Sequence, residues 1–131
     1  TVAAEAQETL WKELVTKSMT LFQQGRYSEA SKVADKSLRV AEKTFSTNHL
    51  TVGISLNILA NSYTYQGKYA EAEPLYKRSL AIEEKVLGPD HPKVATVLRN
   101  MAECFKKTGK KKEAKRLEER AGIIEAKNQP R

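Results

Sequence analysis

Three asparagines interrupt helical patterns in which asparagine is a mediocre helix former: Asn57, Asn61 and Asn100. A side-chain amide both donates and accepts hydrogen bonds. Amides held on one surface can therefore bind an extended peptide backbone whatever its sequence. The competing reading is a solvated helix surface, or an amide that satisfies a neighbour. Arg99, Lys106 and Lys107 accompany them, with Glu103 partly opposing. Such cations favour acidic residues in a ligand, mainly through on-rate and register, because rim pairs contribute only about 0–1 kcal/mol each. Tyr65, Phe22 and Met19 supply either apolar pockets for the same ligand or packing between elements, and the sequence alone favours neither.

Other reactive side chains are few. The two histidines, His49 and His91, each lie in a loop just before a helical pattern. Loops between adjacent packed helices lie about 10 Å apart, too far for one zinc ion to bridge, and no thiol assists. Helix capping is the better reading, and no metal or cofactor is expected. Cys104 is the single cysteine, so an intrachain disulfide is impossible. It falls inside a helical pattern and reads as a small packing residue. No Ser–His–Asp set, phosphate-cradling glycine loop or paired-carboxylate pocket occurs, so no enzymatic activity is expected. The run KKTGKKKEAKR at 106–116 offers salt-sensitive attraction to phosphates. It lacks interleaved aromatics, and lysine-rich capping of a domain end accounts for it without nucleic acid.

The elements that must position these residues recur at a fixed interval. Gly25 opens GRYSEA, Gly67 opens GKYAEA and Gly109 opens GKKKEA, 42 residues apart each time. FSTNHLTV at 45–52 matches LGPDHPKV at 87–94 on the same period, which places His49 and His91 in register. Fixed-period self-similarity means stacked copies of one unit. In the middle copy, Leu56, Leu59, Ala60 and Tyr63 form one apolar helical stripe. Ala72, Leu75, Tyr76, Ser79, Leu80 and Ile82 form a second. Gly67 separates the two as a left-handed helix end. Pro74 falls near the first turn of the second helix, where a missing N–H costs least, and Gly88-Pro89 ends it. Asp90 is a candidate N-cap for the next helix, with Pro92 in its first turn.

Each copy thus reads as helix, glycine turn, helix and loop, with spans near 4–24, 27–44, 50–66, 69–87, 92–108 and 111–127. Ala30, Ala72 and Ala114 align where helices must approach closely, as do Ser18, Ala60 and Ala102. No alternating β-branched run suggests a strand. The net charge of +7 comes wholly from residues 85–131, with thirteen basic and six acidic side chains; the two preceding 42-residue copies are each balanced. No run of 18 apolar residues exists that would span a membrane. A membrane-surface role is disfavoured as well, because the last helix needs its apolar stripe to cover the third copy.

The Gly–aromatic–Ala pattern in paired helices resembles the tetratricopeptide repeat, and EAEPLYKRSLAIEEKVLGPDHPKVATVL at 71–98 is similar to its kinesin-light-chain subgroup. The resemblance covers roughly residues 8–126. It implies an all-α fold, an α-solenoid of three antiparallel helix pairs wound into a right-handed superhelix, whose first helices line a concave groove. It further implies a non-catalytic module binding a peptide segment or partner protein. The groove faces would hold Lys12, Val15, Thr16, Met19 and Gln23 in the first copy, and Ile54, Asn57, Ile58, Asn61 and Tyr65 in the second. In the third they would hold Thr96, Arg99, Asn100, Glu103 and Lys107. Asn61 and Asn100 match positions that peptide-clamping members use for a ligand's backbone or carboxylate. Asn57 occupies the place of the usual clamp lysine, so a strict C-terminal carboxylate clamp is not expected.

Residues 1–131 then read as one domain of three repeats, about 8–49, 50–91 and 92–127, with a short tail at 128–131. Three is about the minimum for a stable array. Lys17, Lys111, Glu118 and Gly122 put polar or small residues where other copies are apolar or aromatic, as array ends require. Val2, Leu10 and Trp11 could instead face a further neighbour, which keeps open a longer array. The alternative function is a structural or self-associating scaffold segment, as monomer or weak homo-oligomer, and a weaker one is polyanion binding through the basic last third. The chain opens at Thr1 with no basic-then-apolar leader, so it reads as a processed protein or a fragment, with a cytoplasmic location expected.

Overall fold

The computed structural model describes residues 1–130. Six α-helices and no strand occur among the described residues: α1 (Val2–Gln23), α2 (Tyr27–Thr44), α3 (Leu50–Thr64), α4 (Tyr69–Leu87), α5 (Pro92–Lys107) and α6 (Lys111–Lys127). The pairs α1–α2, α3–α4 and α5–α6 pack as helical hairpins. Each pair stacks on the next through α2 on α3 and α4 on α5, and α1, α3 and α5 also touch in series. This is the stack of repeated units expected from the 42-residue period, and the α-solenoid that the family resemblance implies.

The glycine turns explain why each hairpin closes alike. Gly25, Gly67 and Gly109 hold φ of 76°, 78° and 82°, a left-handed conformation that costs a residue with a Cβ about 1–2 kcal/mol. Around Gly25, its N–H donates to Phe22 O at 2.9 Å and the Arg26 N–H to Leu21 O at 2.9 Å. The same two bonds recur around Gly67 and Gly109. They satisfy the last carbonyls of the first helix and aim the chain back along it. At the other end of each unit the histidines act as caps. His49 Nδ1 accepts from the Thr51 N–H and His91 Nδ1 from the Lys93 N–H, both at 3.1 Å. Asp90 is therefore not the N-cap of α5; the carboxylate pairs with Lys127 at 3.1 Å instead. Pro74 sits in the second turn of α4 rather than the first. The carbonyl deprived of its donor belongs to exposed Ala70, where water can replace the lost bond.

Small residues let the helices approach. Ala30, Ala72, Ala114, Ser18, Ala60 and Ala102 are all buried. The core runs along the stack in three contiguous clusters, built on Leu56, Leu59 and Ile82, then on Tyr76, Met101 and Phe105, then on Leu98, Ala121 and Ile124. Trp11 belongs to the first of these. It is buried, and its Nε1–H donates to Ser55 Oγ at 2.8 Å. It does not wait for a missing neighbour, as Val2 at 84% and Leu10 at 38% exposure still could. Cys104 is fully buried, and burial pushes its thiol pKa up.

One polar contact repeats with the period. Arg78 Nη2 reaches back to Glu42 at 3.2 Å and to the Thr47 carbonyl at 3.4 Å. Arg120 makes the same pair of contacts one unit later, to Glu84 at 3.0 Å and the Pro89 carbonyl at 3.5 Å. Each second helix is thus tied to its predecessor and to the loop that follows it.

Candidate functional site

The serial contact of α1, α3 and α5 leaves a groove across their shared face. Asn57, Asn61 and Asn100 come together there in an open pocket of ≈ 200 Å³, walled by Met19, Phe22, Gln23 and Ile58. The three amides are positioned by one another and by the core behind them. Asn100 Nδ2 approaches Asn57 Oδ1 at 3.4 Å. Asn61 Oδ1 accepts from the Tyr76 hydroxyl at 3.0 Å. Tyr76 itself is fully buried, 2.9 Å from Thr64 Oγ1, and burial keeps its phenol pKa well above the ordinary range. A neutral hydroxyl thus fixes the oxygen side of the Asn61 amide toward the core. Asn61 Nδ2, Asn57 Nδ2 and Asn100 Oδ1 are left without intramolecular partners among the described residues. Two donors and one acceptor are what a peptide unit, with one carbonyl and one N–H, can use.

The remaining expected site residues lie elsewhere. Tyr65 ends α3 and packs in an aromatic trio, its ring 5.1 Å from Phe22 and 5.2 Å from Tyr27. It is still 46% exposed, beside the pocket rather than in it. Arg99 stands in register with Asn57. Whereas Asn57 faces α5, Arg99 turns to α6 and grips both carboxylate oxygens of Glu125. Lys106 bonds Glu118 on α6 at 2.9 Å and Glu103 at 3.5 Å. Both pairs hold the cations against their own fold, which raises the pKa of Arg99 and of Lys106 through these bonds. Lys107 is exposed and makes no ion pair among the described residues. The basic run is likewise partly committed. Lys110 holds Glu73 at 2.8 Å and sits over the Phe105 ring, 5.1 Å from its centre.

One residue of the groove was not anticipated. Glu83 of α4 is only 3% exposed, yet it lines a second pocket of ≈ 290 Å³ beside the first, with Met19, Ile54, Asn57, Ile58, Lys93 and Thr96. Its Oε2 accepts from Ser79 Oγ at 3.3 Å, and burial raises its pKa, opposed by Ser79 and by Lys93. The signal was present in the sequence. Glu83 lies four residues after Ser79 and seven after Tyr76, inside the buried stripe where a charge is out of place.

No group of three or more potential metal ligands occurs among the described residues. No helix among them is long and apolar enough to cross a membrane.

The sequence profile of the tetratricopeptide repeat matches residues 14–82 and again 52–121. The chain is similar to the kinesin-light-chain-type, nearly identical TPR-like repeats from Podosopora anserina, at 25% identity and a TM-score of 0.81, over 91% of this chain and 56% of that one. It thus spans little more than half of that structure's length. It is also similar to the TPR domain of Arabidopsis FLU, at 16% identity and a TM-score of 0.79, over 94% of this chain and 99% of that domain. BtubC (BKLC) from P. vanneervenii matches at 16% identity and a TM-score of 0.65, over 95% of this chain and 68% of that one. The last two likenesses bear on the fold alone. No curated protein matches the chain.

Proposed function

The chain belongs to the tetratricopeptide repeat family, whose members are generally protein–protein interaction modules, and from that premise we propose that it binds an extended segment of a partner protein in the groove of α1, α3 and α5. The observation that carries this reading is the amide set: Asn57 Nδ2 and Asn61 Nδ2 as free donors and Asn100 Oδ1 as a free acceptor, in a pocket with Met19, Phe22 and Ile58 on its walls. Amides supply sequence-independent backbone bonds, and the apolar walls supply contact area. The role is one of binding, without catalysis or cofactor. The three repeats at about 8–49, 50–91 and 92–127 act as one unit in it. Tyr65 extends the groove with its exposed edge, and Lys107, which makes no ion pair among the described residues, is available to an acidic ligand residue. Arg99 and Lys106 join only if the ligand outcompetes Glu125 and Glu118.

A peptide array probed with wild type and with the Asn57/Asn61/Asn100→Ala variant tests the assignment. Hits retained by wild type and lost by the triple variant are expected. Hits bound equally by both would place the binding surface elsewhere. A second reading, self-association, is favoured by the exposed Val2 and Leu10 on α1 and Ile123 on α6. Sedimentation across a concentration range separates the two, because a strict monomer excludes the second.

A further inference from the structure

Glu83 is a buried carboxylate with half of its hydrogen-bonding capacity unused. Ser79 serves Oε2, while no donor among the described residues reaches Oε1. That oxygen is nevertheless not sealed from solvent, since no side-chain oxygen among the described residues is both fully enclosed and without a hydrogen-bond partner. Glu83 lines the second groove pocket. The pocket walls are aliphatic on the side of Met19, Ile54 and Ile58, and Asn57, Lys93 and Thr96 complete them. Apolar walls ending on a carboxylate suit a side chain with a methylene stem and a cationic head.

The third repeat shows what this position does when a cation is within reach. Glu125 is the residue in register with Glu83, and Arg99 the residue in register with Asn57. In the third repeat the two form a bidentate pair. In the second repeat the acid is kept, but its counterpart is an uncharged amide. The charged neighbour that remains, Lys93, is exposed and makes no ion pair with Glu83. We propose that this pocket is a specificity subsite of the groove and takes the side chain of a lysine or arginine of the bound segment, which supplies the cation that Arg99 supplies to Glu125. The proposal rests on the groove reading above. It is continuous with it, because the two pockets share Met19, Asn57 and Ile58.

The groups facing Glu83 are Ser79 on its own helix and Lys93 on α5; α1 and α3 offer only uncharged side chains. Capture of a cation favours the ionised carboxyl, so preference for the basic side chain strengthens as pH rises through the pKa that burial has raised.

Pools of decapeptides, randomised except for one position fixed as lysine, arginine, norleucine or glutamate, provide the first test. Wild type is expected to retain the lysine and arginine pools at least about tenfold over norleucine, the discrimination a buried charge pair supports. Glu83→Gln is expected to level the pools while leaving Asn-dependent retention in place. Asn57→Arg, which rebuilds the pair of the third repeat, is expected to fill the subsite and abolish the preference as well. Asn-dependent binding with no preference for basic pools, or a preference that survives Glu83→Gln, overturns the subsite and leaves the groove standing. The second test needs no peptide binding. Nα-acetyl-lysine methylamide titrated into wild type is expected to move the Glu83 carboxyl carbon resonance and lower its midpoint, whereas the norleucine analogue is not. If neither compound moves it, the subsite is overturned whatever the pools show; if the pools fail and the resonance moves, the groove reading fails alone.

Discussion

Replacing Tyr76 by phenylalanine removes one oxygen from behind the groove and leaves the ring in place. The ring is fully buried, and phenylalanine fills the same volume, so no cavity opens. What disappears is the bond donated to Asn61 Oδ1 and the contact with Thr64 Oγ1. Thr64 is not orphaned, because its hydroxyl still donates to the Ala60 carbonyl at 2.9 Å. Asn61 is half-buried at the groove, where water can reach its freed oxygen. The loss is therefore one net hydrogen bond, about 1 kcal/mol, rather than the larger cost of a buried unsatisfied group. In a chain of 131 residues that lowers Tm by about 3–5 °C. Urea unfolding is readily followed through Trp11, the only tryptophan and a buried one, alongside circular dichroism. A double-mutant cycle with Asn61→Ala should return a coupling of about 1 kcal/mol. Coupling indistinguishable from zero would refute the claim that Tyr76 holds the Asn61 amide. A loss beyond about 3 kcal/mol would refute the argument that Thr64 stays satisfied. With the fold intact, peptide retention by Tyr76→Phe should fall too, since the Asn61 amide is then free to turn its oxygen to the ligand.

The other predictions concern charge, backbone and the tie between repeats. Burial raises the Glu83 pKa in the folded state, so the unfolded chain loses this proton first and stability falls as pH rises from the unfolded carboxyl value through the folded one. The difference between wild type and Glu83→Gln across pH should show that slope. Glu73 works in the opposite direction, because Lys110 lowers its pKa, and this contribution is lost on acidification in both proteins alike. Arg78→Ala and Arg120→Ala should each cost about 0.5–1 kcal/mol, given pairs that are more than a third exposed on the arginine side, and the double variant should be additive by denaturant titration. Gly122→Ala should stabilise by about 0.5–1 kcal/mol, because α6 has room for the methyl, with Arg99 Nη2 4.0 Å away. The same change at Gly67, where φ is +78°, should destabilise by about 1–2 kcal/mol, and thermal melts of the two variants should move in opposite directions.

The helices were legible because their signals are local and repeated three times. α2, α4 and α6 begin and end at the expected residues, since a glycine two residues ahead and a fixed period mark them. α1 starts two residues early because Thr1 Oγ1 caps it through the Ala4 N–H. The repeat register pointed to one shared helix face for Asn57, Asn61 and Asn100, but not to the contact of Asn57 with Asn100, since the residue in register with Asn57 is Arg99. The fates of Arg99 and Lys106 did not, because Glu125 and Glu118 lie on a different helix and nothing in local spacing says which way a long cation turns. Trp11 was misjudged for a similar reason, its partner Ser55 being 44 residues away. Glu83 was passed over because a glutamate in a helix reads as solvated unless it is checked against the apolar stripe.

The arginine ties have a consequence for how the protein can change length. The two ties stand one period apart, Arg120 and Glu84 each 42 residues after Arg78 and Glu42, so their ends are interchangeable. If residues 43–84 were duplicated in tandem, the new Arg78 would meet the original Glu84, and Arg120 would meet the new copy of Glu84, with no bond in the series left open. The insertion would lengthen the groove by one helix, and with it bring another Asn57, Asn61 and Glu83. Groove length is thus quantised in units of 42 residues, and a single crossover between copies is enough to add one.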